Sequence, residues 1–203
     1  MTLYDLKPRF QALLRPGVRR LAAGGVTANQ VTSAAAVGSV VVGAAVAWGA
    51  FQGRRAVFLL VPVWMFVRMA LNAVDGMLAR EFGQQSRLGG YLNELGDVVS
   101  DAALYAPFAL LPPFGPAGVG LVVVLALVAE YAGVLGAWIG GRRRYDGPLG
   151  KSDRAFVFGA LGLWGGLGGP LPPWFGWLLP LVLALLLVAT TVNRVRAGLR
   201  ADG

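Results

Sequence analysis

Apolar runs of about 20 residues recur along the chain, each long enough to cross a hydrocarbon core of about 30 Å as a helix. Six spans are predicted near residues 31–51, 56–80, 89–111, 117–140, 154–169 and 174–193. The fifth is short and Gly-rich. The breaks read GRR at 53–55, EFGQQSR at 81–87, PPFGPAG at 112–118, GGRRRYDGPLGK at 140–151 and GGPLPPW at 168–174. Such Gly, Pro and charge clusters punctuate regular structure. Ahead of the first span, Leu3, Leu6, Phe10, Leu13 and Leu14 fall at helical spacing, with Lys7, Arg9 and Arg15 between them. This predicts an interfacial segment over residues 1–25, with Pro8 arguing against one continuous helix. The expected fold is an all-α membrane protein, with six transmembrane helices and an N-terminal juxtamembrane amphipathic helix. Residues 1–203 are expected to form one integral-membrane domain.

Composition agrees with this pattern. Of 203 residues, 56% are hydrophobic and 14% charged, against about 25% charged in a soluble domain. There is no Cys and no His. Thiol chemistry, imidazole bases and the usual zinc ligands are therefore excluded. Any metal must sit among oxygens, which favours magnesium, calcium or manganese. A general base must be a carboxylate, Lys or Tyr.

The net charge of +8 does not indicate nucleic acid, because the basic residues gather at helix ends on one side. That side holds the basic residues of the N-terminal segment, Arg80, Arg87, Arg142 to Arg144, Lys151, Arg154, Arg194, Arg196 and Arg200. The other side holds only Arg54 and Arg55. The positive-inside bias predicts both termini in the cytoplasm. Residues 72–101 then open to the cytoplasm as well.

Ionisable groups inside membrane helices are costly and point to function. On the second span Arg68, Asn72, Asp75 and Ala79 share a face. On the third, Asn93, Asp97 and Asp101 repeat every four residues. Counting rise from the cytoplasmic ends of two antiparallel helices sets Asp75 opposite Asn93, Asn72 opposite Asp97 and Arg68 opposite Asp101. The deepest of these is predicted to be a structural ion pair. Above it lie two carboxylates and two amides, oxygen donors suited to a hard divalent cation that clamps phosphates. Interhelical hydrogen bonding is the plainer alternative.

These residues resemble the signature of the CDP-alcohol phosphotransferases, D-x2-D-G-x2-A-R-x8-G-x3-D-x3-D. The chain has Asn72, Asp75, Gly76, Ala79, Arg80, Gly89, Asn93 and Asp97 at every corresponding spacing. The six spans, the juxtamembrane segment and Thr27-Ala-Asn29-Gln-Val-Thr32 before the first span extend the resemblance over most of the chain. The resemblance implies transfer of a phosphatidyl group from a CDP-alcohol, such as CDP-diacylglycerol, to an acceptor hydroxyl with release of CMP. It implies Mg²⁺ or Mn²⁺ held at Asn72, Asp75, Asn93 and Asp97, with Asp97 as base. It implies nucleotide contacts at Asn29, Thr32, Gly76, Ala79, Arg80 and Ser86. A homodimer in the bacterial cytoplasmic (inner) membrane, with its active site facing the cytoplasm, is implied too.

The chain departs from the signature where Asn72 and Asn93 replace the first and third aspartates. Asparagine keeps an oxygen ligand and loses a charge. Three outcomes are open: one metal replaces two, Glu94, Asp101 or Glu130 supplies charge, or activity is lost. The intact Asp75, Gly76, Arg80 and Asp97 favour a modified active enzyme. A catalytically impaired CDP-lipid binder and a small membrane transporter are the alternatives.

Two further features stand apart from the signature. Lys151-Ser-Asp153-Arg154 begins the fifth span, where helix N–H groups favour anions. It is read either as an acceptor site, favouring a phosphorylated or acidic acceptor, or as a plain helix cap at Ser152 or Asp153. Glu130, inside the fourth span, is read as a metal or acceptor ligand or as a partner of Arg68.

Overall fold

The structure, a computed structural model, describes residues 3–200. Among these it is all-helical, with seven α-helices. α1 is Leu3–Ala23 and α2 Ala28–Phe51. α3 is Leu60–Glu81, preceded by a 3-10 turn at Arg55–Leu59. α4 is Arg87–Tyr105, followed by a 3-10 turn at Ala106–Leu110. α5 is Pro116–Ile139, α6 Lys151–Gly166 and α7 Phe175–Leu199.

Four segments are long and apolar enough to cross a membrane: Ala28–Phe51, Arg55–Glu81, Pro116–Ile139 and Phe175–Leu199. Their outward faces carry large apolar side chains such as Val37, Val41, Val124 and Leu185, as a lipid environment requires and water does not. The other two predicted spans differ for physical reasons. α4 carries the polar stripe, and α6 has 16 residues, about 24 Å of helix at 1.5 Å per residue.

Helix boundaries follow local chemistry. α1 runs unbroken through Pro8 and Pro16, so the interruption expected at Pro8 does not occur. α2 begins with a reciprocal cap. Thr27 Oγ1 accepts from the Gln30 N–H at 3.2 Å, and Gln30 Oε1 accepts from the Thr27 N–H at 2.9 Å. This Thr-x-x-Gln box satisfies two otherwise orphaned donors. The predicted third span tightens to a 3-10 turn after Tyr105 because Pro107 has no N–H to continue the α-helical ladder.

The chain divides into two compact units, Met1–Val41 with Val63–Ser100, and Val42–Pro62 with Asp101–Gly203. In the first, Val18 of α1, Ala28 and Val31 of α2, and Val74, Met77 and Leu78 of α3 form a buried cluster. The apolar face of α1 is therefore packed at Val18 while Leu13 stays exposed. Arg15 ties α1 to the end of α3 by a two-pronged bond to Glu81, 2.9 and 3.2 Å. In the second unit, Phe58, Tyr105, Phe108 and Phe158 stack into an aromatic core, with Tyr105 and Phe158 nearly parallel at 4.0 Å.

Candidate active site

A cavity of about 290 Å³ opens in the first unit. It is lined by α2 (Asn29, Thr32), α3 (Asn72, Asp75, Gly76, Ala79, Arg80), the connecting turn (Gln84, Gln85, Ser86) and the start of α4 (Gly89, Gly90, Asn93). Ten of the residues singled out from the sequence thus share one wall: Asn29, Thr32, Asn72, Asp75, Gly76, Ala79, Arg80, Ser86, Gly89 and Asn93. Asp97 is not among the lining residues.

Hydrogen bonds hold this wall in place. Thr32 Oγ1 lies 2.8 Å from Asp75 Oδ2 and 3.0 Å from the Ala28 carbonyl, and its single proton goes to one of them. Ser86 caps α4 by accepting from the Gly89 N–H at 2.9 Å, and its Oγ also accepts from Asn29 Nδ2 at 3.3 Å. Gln84 Oε1 accepts from the Ala28 N–H at 2.7 Å and so joins the turn to the start of α2. The sequence reading missed Gln84 and Gln85. Their place between the two signature halves was the only available signal.

Two glycines have steric reasons. A Cβ on Gly89 would stand 2.7 Å from Asn29 Oδ1 and 3.1 Å from Ser86 Oγ. A Cβ on Gly76 would stand 2.8 Å from Arg80 Nη2. Gly76 therefore lets the Arg80 guanidinium lie back one turn along α3, exposed at the cavity. The site joins a cation, the positive end of α4 and one buried carboxylate, Asp75. Asp75 with the amide oxygens of Asn72 and Asn93 is a donor set that fits one hard divalent cation. Among the described residues no group of three or more His, Cys, Asp or Glu side chains converges.

Below the cavity wall, Arg68 Nη2 donates to Asp97 Oδ1 at 3.0 Å and to the Asp97 carbonyl at 3.2 Å. The depth count had set Asn72 opposite Asp97. The flexible stem of Arg68 brings its charge to Asp97, as long basic side chains do. Asp101 belongs to the second unit. There its Oδ2 accepts from Arg154 Nη2 at 3.0 Å.

A model of the CDP-alcohol phosphatidyltransferase family matches residues 25–190. The chain belongs to this family. The match takes in the whole cavity wall, and membership brings phosphatidyl transfer from a CDP-alcohol, a step of phospholipid synthesis. The inner membrane protein YnbA of Escherichia coli (strain K12) is 47% identical over 201 residues, covering 98% of this chain and 97% of that protein. The helices and this relative mark an integral membrane protein. Mycobacterium tuberculosis phosphatidylinositol phosphate synthase PgsA1, solved with CDP-DAG bound, aligns with a TM-score of 0.74 at 22% identity. That alignment covers 90% of this chain and 92% of that one. The same synthase solved with manganese and citrate gives 0.73, covering 90% and 87%. At this identity the likeness establishes the fold of CDP-alcohol phosphatidyltransferases.

The start of α6 reads differently from its sequence. Asp153 Oδ2 accepts from the Gly150 N–H at 2.8 Å, so Asp153 caps its helix. Arg154 is 1% exposed and bound to Asp101 and Glu130. Glu130 is held by Arg143, Arg154 and Arg194. Removing one partner of such a buried network leaves uncompensated charge, at about 3–5 kcal/mol. Arg154→Met is expected to destabilise the protein by that amount, read as a lower midpoint of thermal unfolding in detergent.

Proposed function

We propose that the protein transfers a phosphatidyl group from CDP-diacylglycerol to the hydroxyl of a polar acceptor and releases CMP. The observation that carries this reading is the single cavity in which Asn72, Asp75, Gly76, Ala79, Arg80, Asn93, Asn29, Thr32 and Ser86 meet. The nucleotide and its pyrophosphate lie against Gly76, Arg80 and the start of α4. In the reaction the acceptor oxygen bonds to the β-phosphorus, and the bond from that phosphorus to the bridging oxygen breaks. CMP departs with the bridging oxygen and its electron pair. The acceptor proton passes to the Asp97 carboxylate.

Asp75, with Asn72, Asn93 and Asp97, would hold Mg²⁺ or Mn²⁺, which when bound neutralises charge on the pyrophosphate. The solved synthase with manganese supports divalent-metal use, and the loss of two carboxylates favours one ion over two. Adding them back by Asn72→Asp with Asn93→Asp is expected to raise Mn²⁺ stoichiometry from one to two, counted by electron paramagnetic resonance. Unchanged stoichiometry would mean that charge at these positions does not set the ion count.

The reading also takes residues 1–203 as one domain of six spans with both termini and the cavity facing the cytoplasm, in a bacterial inner membrane, as a homodimer. It sets the acceptor beside Lys151, Asp153 and Arg154. The test is incubation of purified protein with CDP-diacylglycerol, Mg²⁺ or Mn²⁺ and a pool of polar alcohols, followed by mass spectrometry of new lipids. A cation-dependent phosphatidyl product is expected. Gly89→Ala, which displaces Asn29 from Ser86, is expected to cost about one hydrogen bond, ~1 kcal/mol. Binding of CDP-diacylglycerol should then weaken about fivefold, measured by titration.

A further inference from the structure

A second cavity lies wholly within the second unit, between α6 and the start of α7. It measures about 460 Å³, within the ~300–1,000 Å³ of small-molecule sites. Phe156, Ala160 and Trp164 of α6, Pro170 of the connection, and Trp174 and Phe175 line it with further apolar residues, and none of the lining residues is charged. Phe156 is 76% exposed, and Trp164 and Trp174 are each 52% exposed, so the cavity opens sideways from the helix pair.

Its depth follows from one hydrogen bond. The Leu149 N–H donates to Thr190 Oγ1 at 3.0 Å, which sets the start of α6 level with Thr190 of α7. From that level Trp164 lies about 20 Å along α6 and Phe175 about 22 Å back along α7, at 1.5 Å per residue. Arg194, at the basic end, is about 28 Å from Phe175 by the same count. In a hydrocarbon core of about 30 Å the cavity therefore occupies the half away from Arg194.

Residues 167–174, which close the cavity, suit a place with little water, where backbone polar groups must be satisfied within the protein. Pro170, Pro172 and Pro173 carry no N–H. The N–H groups of Leu167, Gly168 and Gly169 donate to the carbonyls of Leu163, Gly165 and Trp164 at 3.0, 3.1 and 2.9 Å. Those of Phe175 and Gly176 donate to the carbonyls of Pro172 and Pro173 at 2.9 and 3.1 Å. The Trp164 indole is pinned as a wall. Its Nε1 donates to the Pro170 carbonyl at 3.1 Å, and a Cβ on Gly169 would stand 2.4 Å from its Cε2.

We propose that this cavity holds one acyl chain of a phospholipid from the leaflet farther from Arg194. Water has no polar partner among these side chains, and an empty cleft would forfeit dispersion contacts along its walls. A hydrocarbon chain supplies those contacts and is the medium at the mouth. Lipids of the opposite leaflet, whose tails end near the midplane about 15 Å down, do not reach it. With no charge in the lining, the chain is recognised and the headgroup is not. The site shares no residue with the cavity of the first unit and does not depend on the transfer reading.

The test uses the full-length protein in vesicles of dioleoylphosphatidylcholine. A small fraction of the phosphatidylcholine carries a diazirine in the terminal half of one acyl chain, and photolabelled peptides are mapped by mass spectrometry. Labelling of residues 156–179 is expected to exceed that of Leu121 and Val124, exposed on α5, by about fivefold, a preference of ~1 kcal/mol over bulk lipid. It should saturate as the labelled fraction rises, while labelling of α5 rises in proportion. A phosphatidylglycerol probe with the same chain should give the same pattern. Ala160→Trp, at an exposed position of the cavity wall, fills the space and should bring labelling down to the α5 level with helicity unchanged by circular dichroism. If that variant does not fold, saturation in the wild type decides. The inference is overturned if residues 156–179 label no more than α5, if their labelling does not saturate, or if folded Ala160→Trp keeps the excess. Labelling by only one of the two headgroups, or cross-links from the cavity to a second copy of the chain in place of lipid, would overturn it too.

Discussion

Asp97→Asn is expected to lower CMP release from CDP-diacylglycerol by about 10²–10⁴-fold, the range for loss of a positioned general base. Asp97 is also the partner of Arg68, which is 5% exposed. Loss of activity in the single variant therefore has two sources, a missing base and the loss of an ion pair at the buried Arg68. Breaking such a pair costs about 3–5 kcal/mol, whereas replacing both members by neutral groups is often harmless to folding. The double variant Arg68→Met with Asp97→Asn separates the two. It is expected to fold as well as wild type, by unfolding midpoint, and to remain without turnover. Recovered turnover would reduce Asp97 to a counter-ion of Arg68.

Asp75→Asn is expected to have an effect of similar size on turnover and to abolish metal binding as well. Asp75 is 7% exposed and is the one carboxylate lining the cavity. With Asn72 and Asn93 already amides, its loss leaves the wall without negative charge. A metal-held charge at a phosphoryl group contributes several kcal/mol to the transition state. About 4 kcal/mol corresponds to about 10³-fold in rate. Turnover should fall at least that far, and Mn²⁺ binding should be lost with it. Thr32→Val serves as the milder comparison. It removes only the hydroxyl beside Asp75, a loss of ~1 kcal/mol, and should retain metal binding. A Thr32→Val variant as dead as Asp75→Asn would mean that positioning of the carboxylate matters more than its charge.

Much of the cavity was legible because it is built from two helices close in sequence. The spacing of Asn72, Asp75, Ala79 and Arg80 on one helix and of Gly89 and Asn93 on the next fixes which side chains share a wall. Local signals also carried far. Thr27-x-x-Gln30 marks the start of α2, and Ser86 marks that of α4 through its bond to the Gly89 N–H.

What the sequence did not disclose depends on side-chain reach and on distant contacts. Arg68 met Asp97 because a depth count follows Cα positions and takes no account of where a long side chain ends. Glu130 acquired partners at 143, 154 and 194, and only the packing of α5 with α7 and the 140–150 connection brings these together. Asp153 was readable either as a ligand or as a cap, and its bond to the Gly150 N–H is a capping contact. Pro8 misled because a proline in the opening turns of a helix leaves few carbonyls unbonded, and α1 continues through it.

The central claim is that a site with two of its four motif carboxylates replaced by amides still performs phosphatidyl transfer. The most direct measurement is quantification of CMP and new phospholipid together, from purified wild type with CDP-diacylglycerol, Mn²⁺ and a mixture of polyols, beside Asp75→Asn and a chelator control. Equimolar CMP and phosphatidyl product in wild type, abolished in both controls, is the predicted result. Wild-type protein that is folded, binds CDP-diacylglycerol and releases no CMP would contradict it.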